Sequence, residues 1–469
     1  MIGLRYTIIG LFLVGCAGTI PQNRELAFVY AVDQLQAGRP VASASAAWQY
    51  LQGASPEDPR YDRAQRLLAR SSEELGLSYA AAQWYLDIAQ GRRDPELLAE
   101  AVRGLQSIVE SGAYDEDALV DGYLASAEIS GLPMELQAFV AYHQGLRDAR
   151  LLQKRWSKDN FAAINNASAY RADAEYVDAV QSVAKRHIDT ALTKLEELEK
   201  VTPIRPELLT RVRRSVARLH SAKKNHSDAL KRYELLRQEA PGDPELLLEM
   251  AWVHYERGDI RRALGLLLAL DAPIYSDLIA PDRFLLEGLA LRRLCQFGPA
   301  RQAATRLRAK HGKALDDLYS GVQAMNSSAL RAAARRRTAV KTRSAFQRKV
   351  VSEDKRLGSL GFSPPLLAHL TAMYARGTRE AKRGLDEALV GEIDNLAEEL
   401  LAAEEGVNLI LHELGVGLLR GRERSPGPPL HPAPVVTTGG QKAFFKFQGE
   451  FWTDELDDLI VVGEDRCIE

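Results

Sequence analysis

Apolar and polar positions follow a helical period along most of this chain. From about residue 24 to residue 312, Ala, Leu and other apolar residues recur every three or four positions between Glu- and Arg-rich faces. Short Gly, Asp or Pro breaks interrupt them. The pattern predicts helix after helix. A longer seam follows, in which Leu389, Ile393, Leu396, Leu400, Ala403, Val407, Ile410 and Leu414 are spaced alternately four and three. That near-heptad predicts one long helix over about 385–418. Residues 422–441 are rich in Pro and Gly and cannot pack as helix, so they read as a linker. Beyond it, 442–469 carries Phe444, Phe445, Phe447, Phe451 and Trp452, then a β-prone run from Leu459 to Val462. This tail reads as two short strands or a clip, either folded back on the helices or binding a partner.

Small residues reveal a period within the helical stretch. Ala229 and Ala263 stand 34 residues apart, and each has a small partner twelve positions upstream, Ala217 and Ala251. The pair recurs as Ala69/Ala81, Ala179/Ala191 and Gly288/Ala300. A bulky residue four positions after the second member usually follows: Tyr85, Leu195, Tyr233, Leu267. The last unit has Ala304 there instead. Two antiparallel helices approach most closely where both lack bulk, and the bulky residue fills the groove to the next unit. A 34-residue helix-turn-helix of this pattern resembles the tetratricopeptide repeat. Residues 244–270, with Gly258-Asp259 at the turn, are the best copy, and Pro203 and Pro241 end units as the family's proline does. The resemblance implies an all-α solenoid over 24–312. Residues 313–421, a basic segment and a long acidic helix, follow it as a helical hairpin, and the short aromatic tail ends the chain. The stretch RWSKDNFAAINNASAY, 155–170, looks like an insertion or irregular loop.

The amino terminus carries a different signal. One cation, Arg5, precedes an almost unbroken apolar run from Tyr6 to Val14. The run falls short of the roughly 18–20 residues a membrane-spanning helix takes, but suits the core of an export signal. Leu13-Val14-Gly15-Cys16 then resembles the bacterial lipobox. Family behaviour implies that 1–15 is a signal peptide cut before Cys16, that Cys16 is acylated, and that 16–23 is a short tether. Several acyl chains give stable anchoring where one does not. Ala17, rather than Asp, after the cysteine implies sorting to the outer membrane. The bland alternative is a buried amino-terminal helix with an inert thiol.

Composition narrows the function classes. A chain of 469 residues, 46% hydrophobic and 26% charged, is that of a folded protein with more than one core. Its net charge is −2, and becomes −3 if Arg5 leaves with the signal peptide, so no global field points to nucleic acid. Three cysteines, Cys16, Cys295 and Cys467, are too few for a disulfide scaffold. Cys295 and Cys467 could form one bridge in an oxidising compartment, although spacing does not show their proximity.

Catalytic constellations are not apparent. Ser182–Lys185 and Ser221–Lys224 match S-x-x-K, but no K-T-G or S-D-N motif accompanies them. His220 and His254, 34 apart, read as equivalent packing positions. No zinc, thiol or phosphate-loop signature occurs. No enzyme activity, cofactor, metal or small-molecule substrate is therefore expected. The basic run Arg331, Arg335, Arg336, Arg337, Lys341, Arg343, Arg348 and Lys349 pairs in the simplest reading with the acidic flanks Glu392, Asp394, Glu398, Glu399, Glu404 and Glu405 of the long helix. The alternative is that this helix coils with a partner chain.

In the tetratricopeptide family, one stripe of the first helices lines the concave groove that holds partners. Mapped here, the resemblance places Arg211, Arg214 and Arg218 on that stripe, and Arg63, Arg66 and Arg70 in an earlier unit. Between 244 and 270 the stripe offers Leu248, Trp252 and Tyr255. Arginine triads beside an aromatic platform suit an acidic peptide, a carboxylate terminus or an anionic glycan. Equally, solenoids carry many solvated arginines. The combined resemblances imply a non-enzymatic scaffold lipoprotein, lipid-anchored on the periplasmic face of the outer membrane and holding envelope proteins together. The long acidic helix and aromatic tail most resemble the lipoprotein of the envelope-spanning gliding-motility complex of soil bacteria. The alternatives are an activator or assembly factor of a cell-wall synthase, barrel-assembly or pilus-secretin machine and, last, a glycan-acting enzyme.

Overall fold

The computed structural model describes residues 20–124, 127–128, 130–151, 154–202, 204–275, 278–419, 431–438, 441–444, 449, 451, 456–462, 465 and 467. The expectations placed on the signal segment, Cys16, Pro203, Phe445, Phe447 and Trp452 lie outside these residues. The chain divides into two compact units. One comprises residues up to 140 with 345–382, the other 141–344 with 383–469.

In the first unit, α1 (Arg24–Gln36), α2 (Pro40–Gln52), α3 (Tyr61–Glu74), α4 (Ser78–Gly91) and α5 (Pro95–Glu110) each pack on the next. The short α6 (Glu116–Asp121) and then α7 (Met134–Arg150) follow. The second unit begins within α7 and adds α8 (Lys154–Ala162), α9 (Tyr170–Ala184), α10 (Ile188–Leu198), α11 (Pro206–Ala222), α12 (His226–Glu239), α13 (Pro244–Arg257), α14 (Ile260–Ala269), α15 (Asp282–Arg293) and α16 (Phe297–Tyr319). Next come α17 (Ser328–Ala334), α18 (Thr338–Leu357) and the 56-residue α19 (Pro364–Leu419). α8 occupies the stretch read as irregular. Ser157, Phe161 and Ile164, four and three apart, are buried and anchor it.

The packing rule read from the small residues holds throughout. Ala69, Ala81, Ala179, Ala191, Ala217, Ala229, Ala251, Ala263 and Ala300 are buried, as is Gly288. So are Tyr85, Leu195, Tyr233 and Leu267. The turns repeat as closely as the helices. Gly76, Arg186, Lys224, Gly258 and Cys295 all adopt positive φ, between 52° and 92°. Each next residue, Leu77, His187, Asn225, Asp259 and Gln296, has φ between −98° and −85° and ψ near 65°. These five turns thus share one backbone geometry, although glycine fills the left-handed position in only two of them. Asp94 and Asp243 start α5 and α13 alike: each precedes proline and accepts from the amide two residues on at 2.9 Å.

Within the first unit, Glu353 of α18 is buried and takes the place of a local cap on α4. It accepts from the amides of Ser78 at 3.2 Å and Tyr79 at 3.0 Å, and from the Tyr374 hydroxyl at 2.6 Å. Leu77, at the capping position, has no side chain able to do this.

In the second unit the seam of α19 is buried from Ile393 to Leu414 against α15, α16 and α17. The seam is therefore filled from within this chain. The expected basic–acidic pairing is concentrated in a few contacts: Arg337 meets Glu399 at 2.8 Å and Glu392 at 3.9 Å, while Arg308 of α16 meets Glu404 at 2.6 Å.

Three strands complete the second unit in the order β2-β1-β3: β1 (His431–Thr438), β2 (Gln441–Phe444) and β3 (Leu459–Val462), all antiparallel. β1 falls inside the stretch expected to be linker. It pairs with β3 through 431–434 and with β2 through 435–438. Pro432 and Pro434 thus stand where β1 has one neighbour strand, a place that tolerates a residue without an N–H. β3 lies along α14, with Leu456, Leu459 and Val461 buried. Gly265 permits the contact, because any Cβ there would collide with the Leu459 carbonyl. The tail is therefore folded back on the solenoid, and a Cys295–Cys467 disulfide joins it to the α15–α16 turn, with Cα atoms 5.1 Å apart.

Candidate partner-binding surface

The arginines singled out from the sequence project from first helices of the pairs, where the next pair answers them. Arg218 forms a two-pronged contact with Glu249 of α13, at 2.6 and 3.1 Å. Arg214 reaches the same carboxylate at 2.9 Å and Glu245 at 3.3 Å. Burial raises the Glu249 carboxyl, but the Arg218 hydrogen bond and the two guanidinium charges outweigh it and hold the pKa below the usual value. Burial and the same carboxylate push the Tyr233 hydroxyl up. Arg211, exposed, lies over the Tyr176 ring of α9 at 4.6 Å.

The first unit repeats this arrangement. Arg66 and Arg70 of α3 meet Glu100 of α5 at 2.8 and 3.2 Å. Tyr85, at the position of Tyr233, is likewise pushed up, by burial and by Glu73 and Glu100. Arg63 is exposed. The two triads are therefore only partly open cations, since five of their six members hold or stack on groups of a neighbouring pair. The carboxylates Glu100 and Glu249 were not singled out from the sequence. The available signal was an acid one repeat length beyond each arginine pair.

On α13, Leu248, Trp252 and Tyr255 are half-buried against the repeat core. The two rings stand edge to face, 6.2 Å apart, and the Arg293 guanidinium lies 5.6 Å from Tyr255. The small-residue register carries these three positions to Leu285, Leu289 and Arg292 on α15. There α19 covers the stripe. Leu285 packs under Gly406, where a Cβ would come within 2.8 Å; Ile410 lies over Gly288; and Arg292 pairs with Glu413. At this pair, the stripe equivalent to Leu248, Trp252 and Tyr255 is covered by the chain itself.

A cleft of about 590 Å³ lies in the second unit. It lies between Arg214 of α11, the start of α13, Ile274, Tyr275, Leu278 and Ile279, and the α17–α18 corner. Arg214, Arg337, Glu245 and Leu396 are among the residues lining it. Of the sequence-mapped groove residues, only Arg214 faces it. Among the described residues, no group of three or more His, Cys, Asp or Glu side chains is placed to hold a metal ion. No helix of the described residues is long and apolar enough to cross a membrane. The two S-x-x-K serines sit at helix ends, and the Ser182 hydroxyl bonds the Asp178 carbonyl at 3.0 Å.

Comparison with known proteins agrees with this architecture in part. The tetratricopeptide-repeat family model matches residues 221–277. Among solved structures, a tetratricopeptide repeat protein from Parabacteroides merdae matches with 14% identity, covering 76% of this chain and 100% of its own, at a TM-score of 0.22. A circular tandem repeat protein with novel repeat topology matches with 13% identity, covering 84% and 91%, at a TM-score of 0.14. Comparison with curated proteins returns no match. The fold is a tetratricopeptide-like solenoid of tandem helices, an architecture that serves as a platform for protein–protein contact.

Proposed function

We propose that this protein is a lipid-anchored scaffold of the bacterial cell envelope, attached through an acylated Cys16 to the periplasmic face of the outer membrane. The observation that carries the reading is the matched repeat at 221–277 within an array of helix pairs whose packing positions and turns recur. Surfaces of this kind hold other proteins rather than transform small molecules. The signal-like segment ending in Leu13-Val14-Gly15-Cys16 supports export and acylation. The Cys295–Cys467 bridge supports an oxidising compartment. With a tether of eight residues, the solenoid would begin within about 25–30 Å of the bilayer, at roughly 3.3–3.6 Å per residue. Among envelope machines, the gliding-motility complex is the one its long acidic helix and aromatic tail most resemble.

The test combines acylation with partner recovery. Cells fed an alkyne fatty acid should label the wild-type chain and not a Cys16→Ser variant. Tagged protein drawn from detergent-solubilised membranes should bring a defined set of envelope proteins with it. Recovery of an unlabelled chain from the cytoplasm, or of acylated protein without companions, would remove the anchor or the scaffold respectively.

A further inference from the structure

We propose that the Cys295–Cys467 bridge is a reducible catch. Its opening lets β3 leave α14 and bares a seat for an extended segment with an acid ahead of alternate aliphatic residues. The proposal goes beyond the scaffold reading and stands on the second unit alone.

The seat is shaped for a backbone. Gly265 lies in the interior of α14, where glycine costs helix stability and gives the helix nothing in return. It faces the Leu459 carbonyl and the Ile460 Cα, and a Cβ there would collide with both. A strand can therefore lie directly on the helix. Polar groups fix its register. Arg262, three positions before Gly265, pairs with Asp458 at 3.0 Å and points a second nitrogen at the Leu459 carbonyl, 3.5 Å away. Arg237 of α12 approaches the same carboxylate at 3.6 Å. Apolar residues complete the fit. Leu456 and Leu459 join the core cluster that holds Leu266 and Leu270, and Val461 joins the one that holds Ile260 and Leu264.

The catch is separate from the seat. Cys295 holds the left-handed position of the α15–α16 turn, at φ 52°, where Gly76 and Gly258 stand in two of the equivalent turns. That backbone favours glycine, so the turn gains nothing from cysteine, and the use of the residue there is its bridge. Cys467, five residues beyond β3, is exposed, and exposed bridges are the ones that thiols reach. Among the described residues of the tail, the buried apolar side chains are Leu456, Leu459 and Val461. With so small a contact, the covalent link is a large part of what keeps the strand in place. Opening is a thiol–disulfide exchange with a protein dithiol. One of its thiolates attacks Cys467, the bridge breaks, and Cys295 leaves as a thiolate that takes up a proton. The second thiol then frees Cys467 as a thiol. Two electrons have passed to the bridge, and the dithiol has become a disulfide.

The probe is a fluorescein-labelled peptide of residues 454–463, DELDDLIVVG, titrated by anisotropy against detergent-purified full-length protein. Dithiothreitol serves as the dithiol. Reduction of the wild type should raise peptide affinity about tenfold or more, because the chain's own strand is no longer locked in the seat. The circular dichroism of the helices should stay unchanged. Leu459→Asp unseats the tail and leaves α14 whole, so the reduced variant should bind the peptide at least as tightly as the reduced wild type. Reduced Gly265→Leu should take up none, and an Asp458→Lys version of the peptide should bind the reduced wild type about tenfold more weakly. Equal binding by oxidised and reduced wild type would overturn the catch. So would binding by reduced Leu459→Asp with none by the reduced wild type. Full binding by Gly265→Leu, or no binding by any reduced chain, would overturn the seat.

Discussion

Arg218 of α11 grips Glu249 of α13 through two hydrogen bonds, at 2.6 and 3.1 Å, joining one helix pair to the next. Arg214 shares the carboxylate and Tyr233 closes the group. The first unit repeats the arrangement with Arg66, Arg70, Glu100 and Tyr85. A solenoid is stabilised by contacts between neighbours, so a polar clamp at this seam fixes the rotation of one pair on the next.

The clamp predicts an asymmetric mutational response. Glu249→Ala leaves two arginines facing each other, and should destabilise the protein by roughly 2–3 kcal/mol. Arg218→Ala should cost less, since Arg214 still answers the carboxylate. A double-mutant cycle followed by urea unfolding measures the coupling, and additivity of the two changes would refute the clamp. Because the Glu249 pKa is held down, the unfolded chain binds its proton more tightly. Its contribution is complete above the ordinary glutamate value and is lost as pH falls below it. Glu249→Gln should flatten that part of the stability profile.

Glu353 predicts the opposite slope. Burial pushes its carboxyl up against the lowering effect of Tyr374 and the Tyr79 and Ser78 amides. The folded state therefore binds this proton more tightly than the unfolded one. Stability from this group is greatest below the ordinary glutamate value and declines as pH rises through the folded pKa. Glu353→Gln keeps the shape, and should remove that decline while retaining acceptance from the α4 amides. Glu353→Ala should expose an uncapped buried helix end, costing about 1–2 kcal/mol. Thermal midpoints of the three proteins from pH 4 to 8 decide it.

How far this architecture could be read in advance depended on the range of the interaction. The Ala217/Ala229 and Ala251/Ala263 pairs are local and periodic, so the helix pairs followed from spacing alone. The seam from Leu389 to Leu414 announced a long helix, but not its partner surface on α15 to α17. Spacing records the face of a helix and not what covers it. Pro432 and Pro434 argued for linker, and only pairing from β2 and β3 on opposite halves of β1 makes a strand tolerable there. Arg214 and Glu249 lie 35 residues apart, and periodicity could have joined them. Cys295 and Cys467, separated by 172 residues, carried no such signal.

Two histidines predict acid sensitivity in the second unit. Burial lowers His143 and His311 to about 4, with Arg150 adding to the effect at the first and Lys310 and Arg283 at the second. Each is neutral when folded and takes up a proton more readily when unfolded. Stability is complete above the ordinary histidine value near 6.5 and falls as pH drops from there to about 4, by roughly 3 kcal/mol apiece at most. His311→Phe should remove its share of the loss, and the pH dependence of urea midpoints will show whether it does.

The tail latch predicts a local rather than a global response. β3 is held on α14 by Leu456, Leu459 and Val461, by Arg262 pairing with Asp458 at 3.0 Å, and by the Cys295–Cys467 bridge. Cys467 is exposed, so a reductant reaches the bridge without the repeats unfolding. Cys295→Ser should free the last residues and weaken the latch itself by about 2–5 kcal/mol, the range for loss of a native bridge. Gly265→Leu removes the seat of the strand while leaving the cysteines in place. If the latch is a discrete structure, both changes will speed proteolysis and amide exchange within 431–467 and leave α9 to α12 protected. Exchange that rises across the whole repeat array in either variant would mean that the tail is an integral part of the solenoid core.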